Sequence, residues 1–102
     1  MDQRAFNEYV DKTWHEAVAV LLAKGADYAG SIDRLANFKR GAALTGATPE
    51  QIAFIYLSKH YDAVATYVRE GKLSSEPIEG RLVDCLNYIL LLGALIHESK
   101  QP

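Results

Sequence analysis

The stretch that decides the fold is EPIEGRLVDCLNYILLLGALIH, residues 76–97. Pro77 at the first helical position and Glu79 at the third are typical of a helix start. Two stripes then follow the helical period: Leu82, Cys85, Leu86, Ile89, Leu92 and Ile96 on one side, and Asp84, Tyr88, Leu91 and Leu95 on the other. Because both stripes are mostly apolar, we predict a central helix or one that forms an oligomer interface through Leu91 and Leu95.

The rest of the chain predicts three more helices. The first runs from about Asp2 to Lys24, with Gly25 as its stop, and the second runs from Ser31 towards Gly46. A third runs from Thr48 to near Gly71, where Thr48, Pro49 and Gln51 match a capping box. No segment alternates with period two. We therefore predict one all-α domain over residues 1–102, a compact bundle of about four helices that forms a homo-oligomer.

Composition indicates an ordinary soluble protein, with 49% apolar and 24% charged residues. The net charge of −2 gives no global attraction for nucleic acid, so nucleic acid is not an expected partner. The single Cys85 excludes an internal disulfide, and the start of the chain has no signal-peptide pattern. The longest strongly apolar run, residues 88–96, is shorter than the ~20 residues that span a membrane. We predict a cytoplasmic protein with no membrane partner.

Three polar triplets with i, i+3, i+4 spacing carry the chemical signal. They are Lys24, Asp27 and Tyr28; Arg34, Asn37 and Phe38; and Asp84, Asn87 and Tyr88. On a helix each triplet shares one face, so two or more such faces could wall one polar site. Cations and amides suit phosphates and base edges, and aromatic rings can stack on a base. Core packing explains Phe38 equally well, but a purely structural helix would have little reason to carry Asp84 and Asn87 inside so apolar a run.

Further candidates surround these triplets. The glycine-containing loop 25–31 precedes a predicted helix start, where an anion could bind with Lys39 nearby. A plain helix connection is the alternative. Lys59 and His60 place a titratable imidazole beside a cation, although a lone histidine is more often structural. Oxygen ligands for Mg²⁺ are offered by Glu76, Glu79 and Asp84, but Glu79 and Asp84 are roughly 500° apart around a helix.

The motifs resemble a known group of small bacteriophage proteins. They are K-x-x-D-Y at 24–28, D-R-x-x-N-F at 33–38, K-H at 59–60 and E-P-I-E-G-R-L-x-D-x-x-N-Y at 76–88. These proteins look related to the nucleotide-modification-associated domain family, an all-α group. The resemblance implies a phage origin, a nucleotide-related role and a location in the cytoplasm of an infected bacterial host.

A more distant likeness is to the MazG-type nucleotide pyrophosphohydrolases, whose last core helix resembles Asp84, Tyr88 and the leucines after them. That family holds Mg²⁺ with an E-x-x-E-like pair on one helix and an E-x-x-D-like pair on another. Here Arg81 lies three residues before Asp84 and Asn87 three after it, so those pairs are missing. The difference favours binding over hydrolysis.

The leading prediction is a phage protein that binds a nucleotide or nucleotide-derived signal and sequesters a host immune nucleotide, with no cofactor. In this hypothesis the phosphates meet Lys24, Arg34, Lys39 and Arg81. The sugar or base meets Asp27, Asn37, Asp84 and Asn87, and stacks on Tyr28, Phe38 or Tyr88. One alternative is a nucleotide pyrophosphohydrolase that uses Mg²⁺ on Glu76, Glu79 and Asp84. Another is a helical protein-interaction module without a small ligand.

Overall fold

The computed structural model describes the backbone of residues 1–28 and 33–102, and the side chains of residues 1–25 and 33–102. Within these ranges the chain forms four helices and no strand. They are α1 (Gln3–Tyr28), α2 (Ala36–Thr45), α3 (Pro49–Glu70) and α4 (Ile78–Ser99). The predicted all-α class is confirmed.

Helix α3 begins and ends as the sequence predicts. The Gln51 amide donates to Thr48 Oγ1 at 3.1 Å, and the Thr48 amide donates to Gln51 Oε1 at 2.8 Å, which completes the capping box. Gly71 ends the helix at φ +78°, and Gly46 ends α2 at the same angle. Only glycine adopts this left-handed conformation without strain.

Three predicted boundaries are wrong. Helix α1 continues through Gly25 to Tyr28, so Gly25 is not its stop. Helix α2 begins at Ala36, after a turn in which Asp33 Oδ1 accepts from the Leu35 amide at 2.9 Å. The predicted start at Ser31 and the end of the predicted glycine loop lie outside the described residues. Pro77 precedes α4 as its N-cap instead of occupying the first helical position.

Helix α4 is central, because it packs extensively against α3 and also against α1, while α2 packs on α3. The core contains Leu35, Phe38, Ala53 and Leu95, with Leu91 packed beside them. Leu95 is only 2% exposed. The expectation that Leu95 forms an oligomer interface is therefore wrong, because Leu95 is buried inside one chain. Leu91 is partly buried beside the core, and its role in an interface stays a prediction.

By length and composition alone, α4 is apolar enough to cross a membrane. Core helices of soluble proteins share this property. Arg81, Asp84 and Asn87 lie in its first half. Asp84 and Asn87 line a cavity between the helices, and Arg81 contacts His60. The fold is compatible with a soluble protein.

Candidate ligand-binding site

A cavity of about 390 Å³ opens where α1, α2, α3 and α4 meet. Pockets for small molecules commonly have volumes of about 300–1,000 Å³. Residues from all three predicted triplets contribute to its wall, which is formed by Leu21, Lys24, Arg34, Asn37, Phe38, Tyr56, Asp84, Asn87, Tyr88 and Leu91. The described structure thus brings together seven of the sequence-predicted site residues.

Two asparagines present unsatisfied carbonyl oxygens in this wall. Asn87 is 6% exposed. Its Oδ1 and that of Asn37 are buried and have no hydrogen-bond partner within the part of the chain that the structure describes. A buried acceptor without a partner costs about 1–3 kcal/mol, so such groups call for an explanation. A ligand with N–H or O–H donors would satisfy both.

Aromatic rings form one side of the cavity. Tyr88 stacks on Tyr56 with ring centroids 5.8 Å apart and on His60 with centroids 5.2 Å apart. Phe38, which is 1% exposed, meets both tyrosines edge to face and belongs to the core. Tyr56 is 46% exposed and is the most accessible ring of this group. The accessible stacking ring is therefore Tyr56, a residue that was not among the predicted site residues.

The cations of the cavity come from the end of α1 and the turn before α2. Lys24 Nζ lies 3.9 Å from Asp84 Oδ1 and is half exposed, so this ion pair is weak. Arg34 Nη2 donates to the Leu21 carbonyl at 3.4 Å, which holds the guanidinium against the last turns of α1. Both charges stay available to an anion.

Gly25 positions Arg34. A methyl group added at Gly25 would lie 2.6 Å from Arg34 Nε, closer than any real contact. Because glycine has no Cβ, the arginine side chain crosses directly over the helix at this point. The glycine predicted as a helix stop instead makes room for a cation in the cavity wall.

A polar network of three side chains adjoins the aromatic stack. His60 Nδ1 lies 3.1 Å from Arg81 Nη1 and 3.4 Å from Asp84 Oδ2. Because a guanidinium can only donate, the shorter contact uses the lone pair of Nδ1 and requires a neutral imidazole. Burial lowers the pKa of His60 and outweighs the Asp84 carboxylate, which acts in the opposite direction. The neutral ring is consistent with both observations.

Several predicted site residues lie elsewhere. Lys39 Nζ is held by Asp33 at 2.7 Å and by Glu98 at 2.6 Å, so it ties α2 to the end of α4. The hydrogen bond from Lys39 lowers the pKa of Asp33, and the same contact raises the pKa of Lys39. Lys59 is exposed and is not in the cavity wall. The side chains of Asp27 and Tyr28 lie outside the described residues.

The three predicted metal ligands, Glu76, Glu79 and Asp84, each have a different environment. Glu76 Oε2 lies 3.4 Å from Arg81 Nε, while Asp84 faces Lys24 and His60, and Glu79 is exposed. Among the described residues no group of three His, Cys, Asp or Glu side chains could hold a metal.

Comparisons with protein-family models, curated proteins and solved structures find no match to this chain.

Proposed function

We propose that the cavity binds a nucleotide or a nucleotide-derived small molecule. The observation that carries this proposal is the pair of buried, unpartnered carbonyl oxygens on Asn37 and Asn87, in a wall that also holds two cations and a stack of aromatic rings. A nucleotide offers the complement of each feature. Its base has N–H donors and a flat face, and its phosphate is an anion.

The charge and the hydrogen-bonding groups of each cavity residue indicate which part of the nucleotide it contacts. Lys24 and Arg34 contact phosphate, because they are the cations of the wall that keep donors available. Asn37 and Asn87 hydrogen-bond the base edge, and Asp84 accepts from a ribose hydroxyl or a base N–H. Tyr56 supplies the stacking face, supported from behind by Tyr88.

The biological setting is part of the same proposal. The resemblance to small phage proteins suggests that binding sequesters a host immune nucleotide in the cytoplasm of an infected bacterium. Sequestration requires an intact ligand, so the protein should return nucleotides unchanged after incubation with Mg²⁺. Turnover that needs Mg²⁺ and is lost in both Glu79→Ala and Asp84→Ala would support the pyrophosphohydrolase alternative instead.

The direct test combines ligand discovery with titration. Native mass spectrometry of the purified protein should find a copurifying phosphorylated small molecule, and calorimetry with mono-, di- and cyclic nucleotides should rank them. Lys24→Ala and Arg34→Ala should each weaken binding by about 1.5–3 kcal/mol, the range for hydrogen bonds to charged groups. Lys59→Ala is the matched control, because it removes an exposed lysine outside the cavity.

The stacking role of Tyr56 gives a second, independent test of the proposed function. Tyr56→Leu should weaken nucleotide binding by about 1–3 kcal/mol, whereas Tyr56→Phe should retain it. Failure of every nucleotide to bind the wild-type protein would refute the proposal and favour the interaction module without a small ligand. Equal binding by Tyr56→Leu and wild type would remove the stacking role.

A further inference from the structure

A single copy of this chain leaves an unusual amount of surface exposed. Its accessible surface is 7360 Å². A folded monomer of 11.3 kDa exposes about 5,700 Å², so the excess is about 1,600 Å². The radius of gyration is 15.5 Å, whereas about 13 Å is typical of this length.

Helix α1 accounts for much of this exposure. It has 26 residues, yet among residues 3–25 only Ala17 and Gly25 are buried. Its extensive packing is with α4 alone. Helices of globular proteins owe most of their stability to the packing of an apolar face, and within one chain α4 covers only part of the apolar face of α1.

The exposed apolar residues of α1 and α4 form one continuous surface. We call it the α1–α4 surface, and it is formed by Tyr9, Val10, Trp14, Leu82, Leu86 and Ile89 around a cavity of about 450 Å³. All six side chains are more than a third exposed. Two identical surfaces of this kind can pack together, because the exposed aromatic rings of each copy can occupy the cavity of the other.

We propose that a second copy of this chain covers the α1–α4 surface. The excess of about 1,600 Å² per chain exceeds the ~800 Å² that each partner contributes to a standard interface, so it is large enough for a stable homodimer. The other apolar surface, at Phe54 and Ile55, is on α3, which α2 and α4 already hold in place. The dimer therefore supplies the packing that α1 lacks.

Charge argues against a lipid surface as the occupant. Helix α1 carries three basic residues (Arg4, Lys12, Lys24) and four acidic ones (Glu8, Asp11, Glu16, Asp27), a net of −1. Helices that lie on membranes are rich in lysine and arginine on their polar face. An acidic helix suits a protein partner better than an anionic bilayer.

The chain contains two native reporters of this surface, its only tryptophan, Trp14, and its only cysteine, Cys85, which lines the same cavity. Sedimentation equilibrium should give twice the 11.3 kDa mass. Dilution should shift Trp14 emission to longer wavelength and speed the reaction of Cys85 with a thiol reagent, both over the concentration range in which the mass falls.

Substitutions locate the interface. Ile89→Glu introduces a charge at a side chain that is 55% exposed and should give a folded monomer. Val68→Glu is the matched control on α3, at a side chain that is 79% exposed, and it should remain a dimer. Circular dichroism verifies the helix content of both.

Three results would overturn the proposal. They are a wild-type monomer at high micromolar concentration, a dimer that Phe54→Glu disrupts while Ile89→Glu does not, and a monomeric protein that floats with anionic vesicles through Trp14. None of these results depends on nucleotide binding, so the proposed function is tested separately.

Discussion

Replacement of Asn87 by leucine tests whether the Asn87 amide binds a ligand or stabilises the fold. Asn87 is 6% exposed, its Oδ1 has no partner among the described residues, and it faces the cavity between α2 and α4. Leucine has the same branching at Cγ but no polar atoms. The substitution therefore removes an unsatisfied acceptor and places methyl groups where the cavity leaves room.

The magnitude follows from the cost of the unpaired group. Such a carbonyl destabilises the folded state by about 1–3 kcal/mol, which leucine removes. We expect the free energy of unfolding to rise by about 1 kcal/mol, the low end, because leucine methyls need more room than an amide. In a chain of this size that raises the melting temperature by about 4–8 °C. Nucleotide affinity should fall by about 1–3 kcal/mol, roughly 5- to 150-fold in Kd.

The assay is a thermal melt of the ligand-free protein beside a calorimetric titration with the best-binding nucleotide. Asn7→Leu is the control, since Asn7 is exposed on α1 and outside the cavity, and it should leave affinity unchanged. A more stable protein that binds less is the expected outcome. If Asn87→Leu loses stability and still binds at wild-type affinity, the amide is structural and the reasoning is refuted.

Three further substitutions test the surroundings of the cavity. Gly25→Ala should displace Arg34 and weaken nucleotide binding. It should not lower the melting temperature, because alanine favours a helix by about 0.5–1 kcal/mol. Gly80→Ala is the control, since nothing lies within 4 Å of the added methyl, and it should leave binding unchanged. Asp84→Asn should change stability by only about 0–1 kcal/mol, as its ion pair is weak, while affinity measured by calorimetry drops; a large fall in melting temperature with normal binding would contradict this. The His60 pKa is lowered from 6.5 in the folded state, so the contribution of His60 to stability is complete above pH 6.5 and is lost as pH falls below it. Melting temperatures from pH 7 to 5 should therefore fall more steeply for wild type than for His60→Gln, and parallel curves would exclude this effect.

Several features of the structure could be predicted from the local sequence. The capping box at Thr48 and the glycines at 46 and 71 set the bounds of α3 and the end of α2, because local hydrogen bonds and backbone conformation decide helix ends. The i, i+3, i+4 spacing predicted shared helix faces, and Asp84, Asn87 and Tyr88 do lie on one helix and line one cavity. Arg34 lies in the turn before α2, so helical period did not set its place in the cavity wall.

Other features depended on which helix packs against which. Gly25 looked like a stop, yet it lies against the side chain of Arg34, nine residues further along the chain, and no local signal reveals that contact. Tyr56 belongs to none of the polar triplets, and only the packing of α3 against α4 stacks its ring on Tyr88. The same holds for Lys39, which meets Glu98 at the far end of the chain.

Helical period alone shows that α4 carries two mostly apolar stripes, because spacing along a helix places residues on faces. Only the tertiary structure decided that the stripe with Leu91 and Leu95 enters the core while the stripe with Leu86 and Ile89 stays exposed. The exposed stripe is the more apolar of the two, because the other carries Asp84 and Tyr88. Hydrophobicity therefore does not decide which stripe is buried; the helix that covers each one does. Helix α3 covers the first over its length, whereas the shorter contact with α1 leaves the second partly open.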